Sequence, residues 1–343
     1  MCQRTADLLY KTRNMPRFLY RHWFLLALVG VLVGGFVLPS FGDTINPGGV
    51  TQYALVFLFF LMNGFSLPSE QILHGLKNFR LHVAVQLFIF AFIPLYFALT
   101  APLFSSYLGG NLAVGLYALA VLPTTMSTSN IFTQTTGGNV VATMFNSALS
   151  NGMGIVVSPL LLSLFLATGG GGLPPEEIIS VFTELALIML VPFIAGQIWR
   201  RRALELAARV KKRLSTISSF IILTIIFMTV SSTAGDPQFL SRMVELPVPF
   251  VFLALTHIVL LLLSLGLGRV MGLSRPDRLT LLFCGPQKTM AMGVPLLSVY
   301  FSSRPDILAF AILPLLFYHP FQIFTAGVVR ALISPRRAHA EGS

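Results

Sequence analysis

Charge is scarce in this chain. Of its 343 residues only 10% are Asp, Glu, Lys or Arg, and only 12 are acidic, where soluble domains carry about 25% charged residues. That excludes an ordinary water-exposed globular fold. Two cysteines, Cys2 and Cys284, exclude a disulfide framework and a thiolate metal centre. No His-Glu-x-x-His run or pair of intramembrane aspartates is present, and Ser298 and Ser302 approach Lys288 only in sequence, so an intramembrane enzyme is not indicated. A phosphate-cradling glycine loop is missing, which argues against an ATP-driven pump. Strand-like alternation is missing too, so the membrane fold expected is all-α.

What is present is apolar. Hydrophobic residues make up 55%, with 30 Phe and a mean hydropathy of +0.80. A run of about 20 apolar residues crosses about 30 Å of hydrocarbon. Ten runs qualify: 23–38, 52–67, 81–103, 112–136, 140–166, 178–199, 216–234, 248–271, 279–301 and 307–332. The first follows a basic segment, but it is too long for a signal-peptide core and lacks a small-residue cleavage site. The Gly/Pro-rich segment TGGGGLPPEE, 168–177, divides the chain nearly in half. The expected organisation is a basic N-terminus (1–21), a first five-helix repeat (22–167), the linker (168–177), a second five-helix repeat (178–332) and a tail (333–343).

Loop charge sets the orientation. With both termini cytoplasmic, the inner side holds Arg4, Lys11, Arg13, Arg17, Arg21, Lys77, Arg80, the cluster at 200–213, Arg269, Arg275, Arg278, Arg330, Arg336 and Arg337, and the outer side only Arg242 and Arg304. The net charge of +11 is thus accounted for by loops, without invoking nucleic acid. Five spans per half means that the halves insert with opposite orientation, an inverted repeat.

In such repeats the corresponding spans are broken near mid-membrane, and their freed backbone groups bind ions or substrate. The fourth span of the first half holds LPTTMSTSN (122–130), and its counterpart, the ninth span, holds CGPQKT (284–289). Each combines a proline with polar neighbours, placing Thr125, Ser127, Ser129, Asn130, Gln287, Lys288 and Thr289 at the breaks. Gln86, Thr143, Asn146, Ser147, Ser150, His319 and Gln322 add polar groups at similar depth. Thr143 and Ser147, four apart, share one helix face. Glu184 reads either as an interface carboxylate or as a functional one, and His257 as a satisfied core histidine.

Ten spans broken in the fourth and ninth, with TMSTSN in the first break and Gln86 in span three, resemble the bile acid:sodium symporter superfamily. FCGPQKTMAMGVPLL (283–297) followed by LPLLFYHPFQI (313–323) is more similar to its branch represented by solute carrier family ten, member seven, and bacterial relatives. The resemblance covers about residues 23–332. It implies a panel domain of spans one, two, six and seven, and a core domain of spans three, four, five, eight, nine and ten. Spans four and nine would cross in the core, with substrate in the cleft between the domains. It also implies one sodium site from Ser129, Asn130, Thr143 and Ser147 and a second from Gln86 and Gln287.

The chain departs from that pattern at span nine. The family's sodium-binding glutamate would fall at Phe283, and the residue after the glutamine, usually asparagine, is Lys288. An ammonium beside bound sodium is repulsive with no carboxylate to offset it. Its three hydrogens instead suit the carbonyls and hydroxyls of a cation site. Burying that charge costs about 2.5–3.5 kcal/mol or more, which makes Lys288 a functional candidate. Snorkelling to the edge is disfavoured, since Lys288 is ten residues from Arg278, about 15 Å at helical rise.

Two mechanisms are expected. Either a permanently charged Lys288 balances an anionic substrate in uncoupled or exchange transport, or it gains and loses a proton and H+ drives transport, with His319 as relay partner. The expected function is secondary transport of a small organic anion by alternating access. It is expected in the bacterial inner membrane, as a monomer or homodimer among lipids, with no cofactor besides a coupling Na+ or H+. The alternative is a non-transporting regulator, for example of calcium homeostasis, a process the resemblance associates with eukaryotic relatives.

Overall fold

A computed structural model describes residues 23–68, 78–168, 183–235, 246–302 and 304–333. The expected basic N-terminus, all but the first residue of the Gly/Pro linker and almost all of the tail lie outside these residues. Every regular element described is helical, as lipid requires of an open chain whose backbone must bond internally.

The helices are α1 (Trp23–Val37), α2 (Val50–Ser66), α3 (Phe79–Thr100), α4 (Ser105–Val121), α5 (Ser127–Thr135) and α6 (Val140–Thr168). They continue with α7 (Thr183–Arg202), α8 (Leu204–Thr233), α9 (Pro247–Val270), α10 (Arg275–Cys284), α11 (Met290–Tyr300) and α12 (Pro305–Ile333). Among the described residues, seven helices are long and apolar enough to cross a membrane, and α1, part of α4, and α11 are shorter apolar helices. Where described, each apolar run falls mainly on one helix, except that runs four and nine fall on the pairs α4–α5 and α10–α11. α8 begins at Leu204, ahead of its apolar run at 216, because LELAARVKKRL is made of good helix formers that continue the helix into water.

α3 and α7 each contain a π-helical turn, Phe88–Phe92 and Ala186–Leu190. Pro94 and Pro192 follow two residues after these turns. A proline lacks the N–H that a regular ladder needs, and a wide turn absorbs the defect while freeing a carbonyl upstream.

α2 and α7 are in near backbone contact through reciprocal glycines. A Cβ on Gly64 would run into Phe193 O, and one on Gly196 into Leu61 O, the small-residue packing by which helices associate where lipid removes the hydrophobic drive. The end of α7 then clamps the end of α2: Gln197 Nε2 donates to Gly64 O at 2.5 Å and Leu67 O at 3.0 Å, and Arg200 Nη1 to Phe65 O at 3.1 Å. Gly115 of α4 lies against Ala311 O of α12 in the same way, 2.5 Å from where a Cβ would sit. These close contacts bring α12 beside the interrupted pair α4–α5.

Candidate functional site

α4 stops where Pro123 forbids it to continue, since a residue preceding proline is pushed from helical to extended backbone. Residues 122–126 are non-helical before α5 resumes at Ser127. α10 stops in the same way at Gly285–Pro286, and residues 285–289 are unwound before α11. The two interruptions touch.

Unwinding leaves carbonyls that must find donors, because a buried bare carbonyl costs about 1–3 kcal/mol. Five consecutive ones are all satisfied from other elements. Lys288 Nζ donates to Ala120 O and Leu122 O, each at 2.8 Å; Ser158 Oγ donates to Val121 O at 2.8 Å; Thr289 N to Pro123 O at 2.9 Å; and Asn151 Nδ2 to Thr124 O at 2.9 Å. The third bond of Lys288 Nζ runs to Ile89 O at 3.3 Å, inside the π-turn of α3. Lys288 is 2% exposed, and its ammonium sits in a cage of main-chain carbonyls contributed by two distorted helices. Those at the end of α4 also carry the negative pole of its dipole.

The second interruption is held by α12. Gln322 brackets Lys288 like a neighbouring strand: its Oε1 accepts from Lys288 N at 2.8 Å and its Nε2 donates to Lys288 O at 2.8 Å. Gln322 Nε2 also lies 3.1 Å from His319 Nδ1. One turn earlier Tyr318 Oη donates to Pro286 O at 2.8 Å, so at its 2.8 Å contact with His257 the tyrosine must accept and His257 Nδ1–H must donate. His257 Nε2 then accepts from Thr325 Oγ1 at 2.8 Å. This assigns the tautomer and gives a prediction. In His257→Asn the amide N–H reproduces the Nδ1 donor, whereas His257→Gln places its amide near the Nε2 position. The Asn variant should therefore melt higher than the Gln variant, by the equivalent of about 1 kcal/mol, one buried hydrogen bond, because Thr325 Oγ1 still reaches Phe321 O and Gln322 O when its contact with position 257 is lost. Equal melting temperatures would show that the histidine merely fills space.

Gln287 gathers the hydroxyls of the first break. Its Oε1 lies 2.6 Å from Thr125 Oγ1, 2.8 Å from Thr128 Oγ1 and 3.1 Å from Ser129 Oγ. The single proton of Ser129 best reaches Phe283 O, at 2.8 Å. Of the other residues expected in a first sodium site, Thr143 Oγ1 is engaged with Thr133, Thr280 and Asn139 O at 3.0–3.1 Å, and Ser147 Oγ lies 3.8 Å from Cys284 Sγ. Asn130 Oδ1 is buried without a partner. Gln86 is not hydrogen-bonded to Gln287; its Nε2 donates to Asn146 O and Oδ1 at 3.2 Å, while Asn146 Nδ2 lies 2.9 Å from His82 Nδ1. Ser150 Oγ donates to Ser147 O at 3.1 Å, Thr289 is buried, and Ser127 is exposed at the first turn of α5. Glu184 accepts from Tyr53 Oη at 2.7 Å, away from the junction.

Asn151, Ser158, Tyr318 and Thr280 are junction residues that the sequence reading did not single out. A signal existed for two of them: counting from Ser147, Asn151 and Ser158 fall at +4 and +11, on the same helix face.

An all-helical membrane protein whose two interrupted helices meet at a buried, cation-bearing junction belongs with the membrane transporters. Comparison with known proteins makes the family definite: the chain belongs to the SBF-like CPA transporter family, whose sequence pattern matches residues 22–334. It is similar to sodium/bile acid cotransporter 7 of Danio rerio, 31% identical over 315 residues, 90% of this chain and 92% of that protein. Sodium/bile acid cotransporter 7-B of Xenopus laevis is 31% identical over 317 residues, 91% of each chain. An uncharacterised protein of Pseudomonas aeruginosa is 30% identical over 333 residues, 95% of this chain and 97% of that one.

Proposed function

We propose that this protein is a secondary transporter of a small organic anion, working by alternating access without sodium at the helix junction. In this reading it has ten spans in two inverted repeats, with spans four and nine crossing and both termini cytoplasmic. A panel of spans one, two, six and seven faces a core of the other six across the substrate cleft, and in a bacterium the protein sits in the inner membrane.

The carbonyl cage of Lys288 is the observation that carries this reading. A sodium ion wants several oxygens, and the oxygens freed by the α4 break are already occupied by an ammonium. No carboxylate among the described residues shares the junction, Phe283 standing at the position where the resemblance puts one. Of the four side chains implied for the first sodium site, Asn130 alone offers an acceptor with no partner. Lys288 therefore acts as a tethered cation. All three of its hydrogens are spent on carbonyls, so its charge reaches an anion in the cleft through the field rather than through a direct hydrogen bond. The start of α5, where Ser127 is exposed and no side chain caps the helix, supplies free N–H groups favourable to anions. Transport is then uncoupled, an exchange, or driven by a proton that Lys288 takes up and releases during the cycle.

A melting-temperature screen of organic anions in sodium, potassium and low-pH buffers tests this reading, because a ligand at 100 times its Kd stabilises the state it binds by about 2.7 kcal/mol. The expected result is at least one anion that raises the melting temperature equally in sodium and potassium. Stabilisation by anions only when sodium is present would sink the sodium-free reading, and no response to any anion would leave the regulator as the better account.

A further inference from the structure

We infer that the hinge between α7 and α8 is a binding site for the headgroup phosphate of an anionic membrane lipid. α7 ends at Arg202, and Ala203, with φ −141° and ψ 47°, turns the chain directly into α8. The sharp turn splits the run of three arginines. Arg200 points inward, is 8% exposed and holds Phe65 O at 3.1 Å. Arg201 and Arg202 are exposed and, with Arg209 from the next two turns, line a concavity of about 610 Å3. The one carboxylate in its lining, Glu205, is paired with Arg209 at 3.2 Å. Three guanidinium groups against one carboxylate leave the lining with a net charge of +2.

The surroundings select the source of the anion. The apolar run of α7 ends at 199, four residues before Ala203, so this hinge lies at the boundary between hydrocarbon and water. Trp199 (53% exposed), Leu204 (46%) and Leu206 (47%) flank it. These are the residue types that seat among lipid chains at a membrane interface while neighbouring arginines reach the headgroups. Guanidinium groups grip phosphate through paired N–H donors, and basic pockets beside membrane-spanning helices recognise acidic headgroups. A free phosphate would use the arginines but gain nothing from the apolar flank.

The test uses the purified full chain in detergent micelles doped with dioleoyl phosphatidylglycerol or dioleoyl phosphatidylcholine. Inorganic phosphate and glycerol phosphate form the soluble arm. Lipid retained in native mass spectra and the melting temperature are the readouts. Phosphatidylglycerol should be retained and stabilising, phosphatidylcholine and the soluble phosphates not. The triple variant R201Q/R202Q/R209Q should weaken retention by about five-fold per arginine removed. K211Q/K212Q/R213Q, which removes the same charge from the same helix outside the concavity, should keep retention within about two-fold. E205Q, which keeps every arginine, should strengthen retention and so reports on the site even if the first triple variant folds poorly. Equal loss in the two triple variants, retention of phosphatidylcholine, or stabilisation by soluble phosphate alone would overturn the lipid site.

Discussion

Lys288→Met should abolish transport in proteoliposomes and lower the melting temperature of the purified protein. The substitution keeps a long unbranched side chain but leaves Ile89 O, Ala120 O and Leu122 O without donors around a buried side chain. Buried unsatisfied groups cost about 1–3 kcal/mol each, so the junction should lose about 3 kcal/mol or more, enough to shift a two-state equilibrium more than a hundred-fold. Lys288→Arg should not rescue it: a planar guanidinium is wider than an ammonium and cannot direct three hydrogens at three converging carbonyls. Lys288→Gln separates charge from bonding, since its amide restores two donors and no charge. If Lys288→Gln transports with unchanged rate, pH dependence and sodium dependence, Lys288 has no part in the mechanism.

A second large effect is expected far from the junction. Gly64→Leu should break the packing of α2 on α7, because even the first atom of the new side chain meets the backbone of Phe193, which has no rotamer to give way. The helices must separate, and the bonds from Gln197 and Arg200 to the end of α2 go with the contact. Overpacking costs about 1–3 kcal/mol, and each lost intramembrane hydrogen bond about 0.6. Gly30→Ala, with nothing within 4 Å of the new atom, is the matched control. The measurement is thermal denaturation with size-exclusion chromatography; a Gly64→Leu protein that elutes and melts like its Gly30→Ala control would show that the close approach carries no stability.

Much of this molecule was legible in its sequence. Each apolar run, where described, lies on helix or an interrupted pair, and the two prolines flanked by polar residues marked the interruptions where they occur, whereas Pro159, Pro295, Pro314 and Pro320, set among apolar residues or late in a helix, leave their helices unbroken. Lys288 was conspicuous for the same reason: a charge in an apolar run has few causes other than function. What sequence could not supply was pairing over long separations. Tyr318 meets Pro286, and Gln322 meets Lys288, only because α12 packs beside the break, and nothing in the local pattern encodes that approach. Gln86 likewise donates to Asn146 on α6, a contact between two helices that no local pattern encodes. Hydropathy alone places a loop at the start of α8, because its charges interrupt the apolar run although they do not interrupt the helix.

The most direct test of a tethered cation is transport by the wild-type protein with sodium replaced. An anion found by the melting screen should enter proteoliposomes at the same rate, within about two-fold, whether the buffer holds sodium, potassium or choline, because the carbonyls of Ala120 and Leu122 already hold an ammonium. Uptake that stops in potassium and choline and returns with sodium would contradict it.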